Sequence, residues 1–209
     1  MLKVYGCPNT RSLRVTWLLE ELGFDYTYQL VNLQTGEQKS DAYTQKNPSA
    51  RVPSLETDHG VLSESGAIIN YLAALKPEAE LIPTASAYRR AVYDQWLLFT
   101  LTELEQPLWT IAKHQFALPA EQRCPAVIPS AQWEFQRALS CLSIGLGDKL
   151  YMLGERFSAL DILVAHTLFW GVAYKQPIEQ KNLADYIGRM AVRPAVNAAR
   201  EREKREAGQ

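Results

Sequence analysis

The chain has 209 residues, of which 47% are hydrophobic and 22% charged, with a formal net charge of −1. That length allows one or two domains around a sizeable core, and the composition excludes a disordered chain. The near-neutral balance argues against nucleic acid as the main partner, and no apolar run approaches the ~18 residues of a membrane span.

Leu2–Tyr5 reads as a short strand stopped by Gly6. Thr10–Leu22 carries Leu13, Trp17, Leu18 and Leu22 at helical spacing, with Gly23 as its stop. Tyr26–Val31 alternates as a strand does, whereas Asn32–Asn47 is polar and shows no period. Val52–Glu56 and Val61-Leu62 predict a third and a fourth strand across the turn Thr57-Asp58-His59-Gly60, and a helix over 64–75 ends before Pro77. The order βαβ, loop, ββα is that of a thioredoxin-like domain over residues 1–76.

Residues 77–86 read as a linker, and beyond it the composition shifts: four of the five tryptophans follow, with no strand pattern. Tyr88–Lys113 predicts one long helix, apolar on more than one face around Trp96-Leu97-Leu98-Phe99 and therefore packed on several sides. Pro119, Pro125 and Pro129 bracket a loop, and helices follow at about 130–145, 158–175, 181–191 and 193–205. Residues 87–209 thus form an all-helical second domain, so the fold class is α/β followed by all-α. Ser158 and Asp161 form a capping box ahead of Ile162-Leu163-Val164-Ala165, a folding device and not a chemical one. Arg200–Arg205 reads as a solvated charged end.

Two motifs carry the functional signal. Arg51-Val52-Pro53-Ser54-Leu55-Glu56 enters a buried strand through a proline, which cannot donate to a ladder. A cis peptide there turns the backbone and leaves the Val52 amide and carbonyl for a ligand. Eight residues after Glu56, Glu64-Ser65-Gly66 opens an apolar helix whose unpaired amides suit an anion such as a carboxylate. Together they describe a small-peptide site.

These motifs resemble those of the glutathione transferase family. Arg14-Val15-Thr16-Trp17-Leu18-Leu19-Glu20-Glu21-Leu22-Gly23 is similar to the first helix of plant and bacterial members. Asn47-Pro48-Ser49-Ala50-Arg51-Val52-Pro53 is similar to their Asn-Pro-x-Gly-Lys-Val-Pro segment, with Ala50 for the usual glycine and Arg51 for the usual lysine. The resemblance implies a thioredoxin-like first domain and an all-helical second one. It implies that Val52, before a cis Pro53, pairs with the cysteinyl backbone of glutathione, and that Glu64 and Ser65 hold its γ-glutamyl end. Gln38 aligns with the position that contacts the glycine carboxylate, and Arg51 is a second group suited to it.

Thiol activation falls within Tyr5-Gly6-Cys7-Pro8-Asn9-Thr10-Arg11-Ser12. Cys7 stands where plant-type members have a catalytic serine and matches the Cys-Pro of omega-type members. A cysteine at a helix start has a lowered pKa and favours disulfide exchange. Asn9 and Thr10 are alternative donors, Ser12 points along the helix, and Tyr5 reads as core. In the second domain the resemblance makes Phe99, Glu103 and Trp109 candidate acceptor contacts.

Three cysteines (Cys7, Cys124, Cys141) without a Cys-x-x-Cys pair argue against a disulfide framework and fit a reducing cytoplasm; Met1-Leu2-Lys3-Val4-Tyr5 lacks the core of a signal peptide. His59, His114 and His166 show no ligand spacing, so no metal is expected; His59 reads as a turn residue and His166 as core. The expectation is a cytoplasmic, homodimeric detoxification enzyme that joins glutathione, as co-substrate and without a cofactor, to small electrophiles. Nucleic acid and membrane are not expected partners. The alternatives are an omega-like thiol transferase or reductase acting through Cys7 and a non-catalytic interaction module.

Overall fold

Val4 and Tyr5, both buried, place the first strand, β1 (Leu2–Gly6), at the centre of a four-stranded sheet in a computed structural model that describes residues 1–208. The strand order is β2-β1-β3-β4, with β2 at Tyr26–Leu30, β3 at Ser54–Thr57 and β4 at Gly60–Ser63. β1 runs parallel to β2, with Leu2 opposite Tyr26, and antiparallel to β3, with Tyr5 opposite Ser54. A parallel pair needs a crossover, and α1 (Ser12–Leu22) supplies it, burying Leu13, Val15, Trp17, Leu18 and Leu19. Gly23, at φ 60°, ends α1. The helix α3 (Ser65–Leu75) buries Ile68, Ile69 and Leu72. This is the expected thioredoxin-like arrangement.

Three local readings change. The unassigned stretch after β2 holds a 3-10 turn at Glu37–Lys39 and a short helix, α2 (Asp41–Thr44), capped by Ser40; four residues are too few to display a period. β3 begins at Ser54 and not at Val52, because Pro53 has no amide hydrogen for the ladder. The charged end is not solvated: in the last helix, α9 (Pro194–Glu206), Val196, Ala199 and Glu203 are buried.

The chain divides into two units, Met1–Ile82 with everything from Ala191 onward, and Pro83–Met190. In the first, α9 packs along α1. Arg193 holds the Glu21 carboxylate through Nε at 2.6 Å and Nη2 at 2.8 Å, and Arg202 donates to the Tyr26 carbonyl at 2.9 Å.

The second unit is all-helical among its described residues. The expected long helix runs as α4 (Ala87–Phe99), a π-turn at Thr100–Leu104, α5 (Glu105–Ala112) and a second π-turn at Lys113–Ala117. Pro107 gives a physical reason for the first π-turn. It cannot donate to the Glu103 carbonyl and its ring crowds that carbonyl, so the turn before it widens. The remaining helices are α6 (Ile128–Leu146), α7 (Ala159–Ala173) and α8 (Lys181–Ala191). α7 is buried without a break from Ala159 to Leu168, His166 included, and Ser158 and Asp161 form its capping box. No helix among the described residues is long and apolar enough to cross a membrane.

Candidate functional site

The Val52–Pro53 bond is cis, as the sequence led one to expect. No hydrogen bond among the described residues engages the Val52 amide or carbonyl, while the residues on either side of the Val52–Pro53 pair are held. The Arg51 carbonyl accepts from the Tyr43 hydroxyl at 2.7 Å and the Asn47 amide at 2.8 Å. The Ser54 hydroxyl lies 3.0 Å from the Tyr43 hydroxyl and accepts from Asn47 at 3.1 Å. Ala50 adopts φ 53°, the left-handed region in which the usual glycine costs nothing. Val52 itself packs, with Leu33, on a buried cluster of Tyr5, Val31 and Tyr43.

At the head of α3, Glu64 is exposed and takes φ 66° and ψ 110°, an unusual backbone that turns the chain abruptly into the helix. Ser65 is buried, and its hydroxyl oxygen accepts from Arg14 Nη1 at 3.1 Å. The Ser65 proton is therefore directed away from Arg14, and with the first amides of α3 it makes a donor set for a carboxylate. Arg14 is fully buried on α1 and places positive charge behind that set. Gln38 lies in the 3-10 turn with its side-chain oxygen buried and without a hydrogen-bond partner among the described residues, an acceptor open to an N–H or O–H donor.

At the other end of the site, the loop before α1 closes on itself. The Cys7 amide donates to Ser12 Oγ at 3.1 Å, Ser12 and Thr10 hydroxyls lie 2.9 Å apart, and the Thr10 hydroxyl donates to the Cys7 carbonyl at 2.6 Å. With its proton given to Cys7, Thr10 has none for a thiolate. Asn9 is exposed at φ 60°, and its side chain makes no hydrogen bond among the described residues. Gly6 permits the closure: a Cβ there would meet the Tyr28 hydroxyl at 2.7 Å and Ser12 Cβ at 2.8 Å.

The expectation that a helix start lowers the Cys7 pKa does not hold. α1 begins five residues later, at Ser12. Burial pushes the thiol above its ordinary value, a hydrogen bond with the Leu33 backbone pulls it partly back, and the Glu203 carboxylate adds to the rise. The contact with Leu33 places Cys7 beside the cluster on which Val52 packs. Beneath it, Glu203 on α9 accepts from the Thr16 hydroxyl at 2.8 Å, and burial lifts its pKa to about 8. The Tyr28 hydroxyl is buried without a partner among the described residues. Tyr5, read as core, is buried and donates to Glu56 at 2.6 Å.

In the second unit, Phe99 stacks edge-on to Trp96 at 5.2 Å between ring centroids, Trp109 lies 6.5 Å from Trp170, and Glu103 is exposed. These three acceptor candidates share the run from α4 to α5. Among the described residues no group of three His, Cys, Asp or Glu side chains is placed to hold a metal ion.

The sequence motifs give Arg14 and Asn47 no role of their own, and Tyr43 and Glu203 fall outside them. For Arg14 there was a signal: a charged residue within an otherwise apolar helical face, one turn before Trp17 and Leu18. For Tyr43 the signal was absent, because its helix is too short to show a face.

The chain matches the family described as "Glutathione S-transferase, N-terminal domain" over residues 1–74. It is 29% identical to glutathione S-transferase GstA of Escherichia coli O157:H7 over 95% of this chain and 96% of that one. To the disulfide-bond oxidoreductase YfcG of Escherichia coli (strain K12) it is 30% identical, over 78% of this chain and 76% of that one. Among solved structures, a glutathione transferase from Methylococcus capsulatus superposes with a TM-score of 0.86 at 30% identity, covering 97% of this chain and 98% of its own.

Proposed function

The chain belongs to the glutathione transferase family, and from that premise we propose that it binds glutathione in its first unit and conjugates it to small electrophiles. The observation that carries this reading is the Val52 backbone, its amide and carbonyl unengaged among the described residues, with Arg51 and Ser54 pinned on either side of the Val52–Pro53 pair. An extended peptide pairs with such a group in the manner of an added strand. Glu64 and the Arg14-backed Ser65 take the γ-glutamyl end, and Gln38, with Arg51, takes the glycine carboxylate. Glutathione gives its thiol proton to solvent water, its sulfur forms a bond to the electrophilic carbon, and a leaving group such as halide departs with the electron pair of the broken bond. In this reading Cys7 and Asn9 stabilise the thiolate, since the Thr10 hydroxyl donates to the Cys7 carbonyl. Phe99, Glu103 and Trp109 are acceptor contacts in this reading. A cytoplasmic homodimer without metal or bound cofactor completes it, as is usual in the family.

A second reading, disulfide reduction through Cys7, is favoured by the likeness to YfcG. The raised Cys7 pKa weighs against it, because the thiolate is the nucleophile. Calorimetric titration with glutathione and an initial-rate assay with 1-chloro-2,4-dinitrobenzene test the first reading, and intact mass after oxidised glutathione tests the second. Conjugation without a stable adduct of one glutathione on Cys7 is the expected result. A Cys7 adduct with disulfide reduction and no conjugation reverses the order of the two readings, and absence of glutathione binding removes both.

A further inference from the structure

Resting on the proposed binding of glutathione along Val52, we infer that Tyr43 and Asn47 are positioning residues that hold the Val52 backbone in register for the peptide. Neither side chain is seen bonded to Val52. They grip the residues on either side of the Val52–Pro53 pair, the Arg51 carbonyl and the Ser54 hydroxyl. The proton count closes. Tyr43 gives its one hydroxyl proton to the Arg51 carbonyl at 2.7 Å, so Ser54 donates across the 3.0 Å contact to the Tyr43 oxygen. Asn47 gives one amide hydrogen to the Arg51 carbonyl at 2.8 Å and the other to Ser54 Oγ at 3.1 Å. Its own oxygen is taken by Ser49, through the amide at 3.1 Å and the hydroxyl at 2.7 Å, so a flip of the Asn47 amide forfeits all four bonds.

Local structure explains why these two residues act together. The Asn47 amide donates to the Tyr43 carbonyl at 2.9 Å, one turn on from α2, which puts both side chains on the same side. Both are buried, at 5% and 2% exposure, so water does not compete for the ring of bonds. A backbone amide and carbonyl serve a peptide only when correctly aimed, because hydrogen bonds weaken steeply below about 120°. Fixing the residues before and after Val52–Pro53 fixes that aim. The Tyr43 ring does separate work, packing edge-on against Tyr5 at 6.1 Å between centroids.

Tyr43→Phe keeps the ring and removes the hydroxyl, and Ser54→Ala breaks the same ring of bonds from its other side. The full chain and both variants are titrated with glutathione by calorimetry and assayed with 1-chloro-2,4-dinitrobenzene. The expected result is a glutathione Kd and KM raised about tenfold in each variant, with kcat at saturating glutathione changed less than about twofold. The double variant loses no more than about the larger single loss, because both substitutions open one ring. An unchanged Kd in both single variants with a lower melting temperature overturns the inference, since the residues are then scaffold only. A kcat that falls in step with affinity overturns it too. No glutathione binding by the unaltered chain removes the underlying reading of function, whereas binding that Tyr43→Phe and Ser54→Ala leave untouched removes this inference alone.

Discussion

Asp161 in the second unit and Glu203 in the first are both buried carboxylates, but their surroundings differ in the number of hydrogens offered. Asp161 accepts from the Met152 amide at 2.8 Å, the Ser158 amide at 2.9 Å, the Ser158 hydroxyl at 2.8 Å and the Tyr186 hydroxyl at 2.9 Å. Glu203 accepts from Thr16 at 2.8 Å. Burial pushes both acids up; four hydrogen bonds oppose it at Asp161, and one opposes it at Glu203. Asp161 is therefore an anchor, since several buried donors depend on it. Glu203 is a group whose charge the fold resists, placed under the loop that carries Cys7.

Removing the anchor gives the largest effect. Asp161→Ala strands the donors of Met152, Ser158 and Tyr186, each worth about 1–3 kcal/mol when left buried and unmet. Partial relaxation brings the expected loss to about 3–5 kcal/mol, a large share of the stability of an ordinary domain. Urea unfolding measures it, and a loss below about 1 kcal/mol would show that the donors find other partners.

The corresponding change at Glu203 works in the opposite direction and depends on pH. An ordinary glutamate titrates near 4.5, and in the folded protein Glu203 does so at about 8. The folded state thus favours the protonated form. Stability is fully present below about pH 4.5, falls as pH rises towards 8, and levels off above it. Glu203→Gln keeps the neutral shape and removes the dependence. At pH 5 the variant and the native chain unfold at similar urea concentrations. At pH 9 the variant is more stable by about 2–5 kcal/mol, because each tenfold difference in proton affinity between folded and unfolded chain is worth about 1.4 kcal/mol. Equal stabilities at pH 9 would show that the carboxylate reaches water. Removal of this charge also lowers the Cys7 pKa, which the alkylation rate against pH reads directly.

Donor counting also sets the next effect. Ser65 Oγ receives from Arg14, so its own hydrogen is directed elsewhere, and the proposed function gives it to the γ-glutamyl carboxylate. Ser65→Ala weakens glutathione binding by about 1–3 kcal/mol, the range for a hydrogen bond to a charged group. Calorimetry with unchanged affinity would move the γ-glutamyl end away from α3.

The two acids also mark what could be read from the chain. Asp161 was legible because Ser158-Ala159-Leu160-Asp161 is a local pattern with a local cause, and the order of strands and helices was legible for the same reason. Val52, Pro53, Glu64 and Ser65 could be singled out as candidates because the proline and the helix start advertise themselves in sequence. Glu203 was not, since it sits among Arg200, Glu201, Arg202, Lys204 and Arg205, a run that looks solvated until α9 is seen lying on α1. Tyr43 and Asn47 were hidden similarly, in a polar stretch whose side chains close a ring across residues 43–54. The Cys7 environment was misread because burial, which raises the thiol pKa, depends on residues distant in sequence and does not show in the local pattern around the start of α1.

The smallest effect sharpens the contrast most, because it removes the one side-chain donor that Glu203 has among the described residues. Thr16 donates to Glu203 at 2.8 Å and also lies 3.3 Å from the Ser12 and Leu13 carbonyls, so its hydroxyl is shared. Thr16→Val keeps the shape of the side chain on α1 and removes the hydrogen. The Thr16 bond lowers the Glu203 pKa, so its loss moves that titration to still higher pH. Below pH 5, where Glu203 is neutral, the cost is about 0.5–1.5 kcal/mol, the net worth of one neutral hydrogen bond. Above pH 9 the cost is larger, because an ionised Glu203 then has no donor. A carboxyl-selective spectroscopic titration follows the pKa and urea unfolding at the two pH values follows the cost. A titration that stays in place would mean that another group satisfies Glu203, and the contrast with Asp161 would narrow to one of degree.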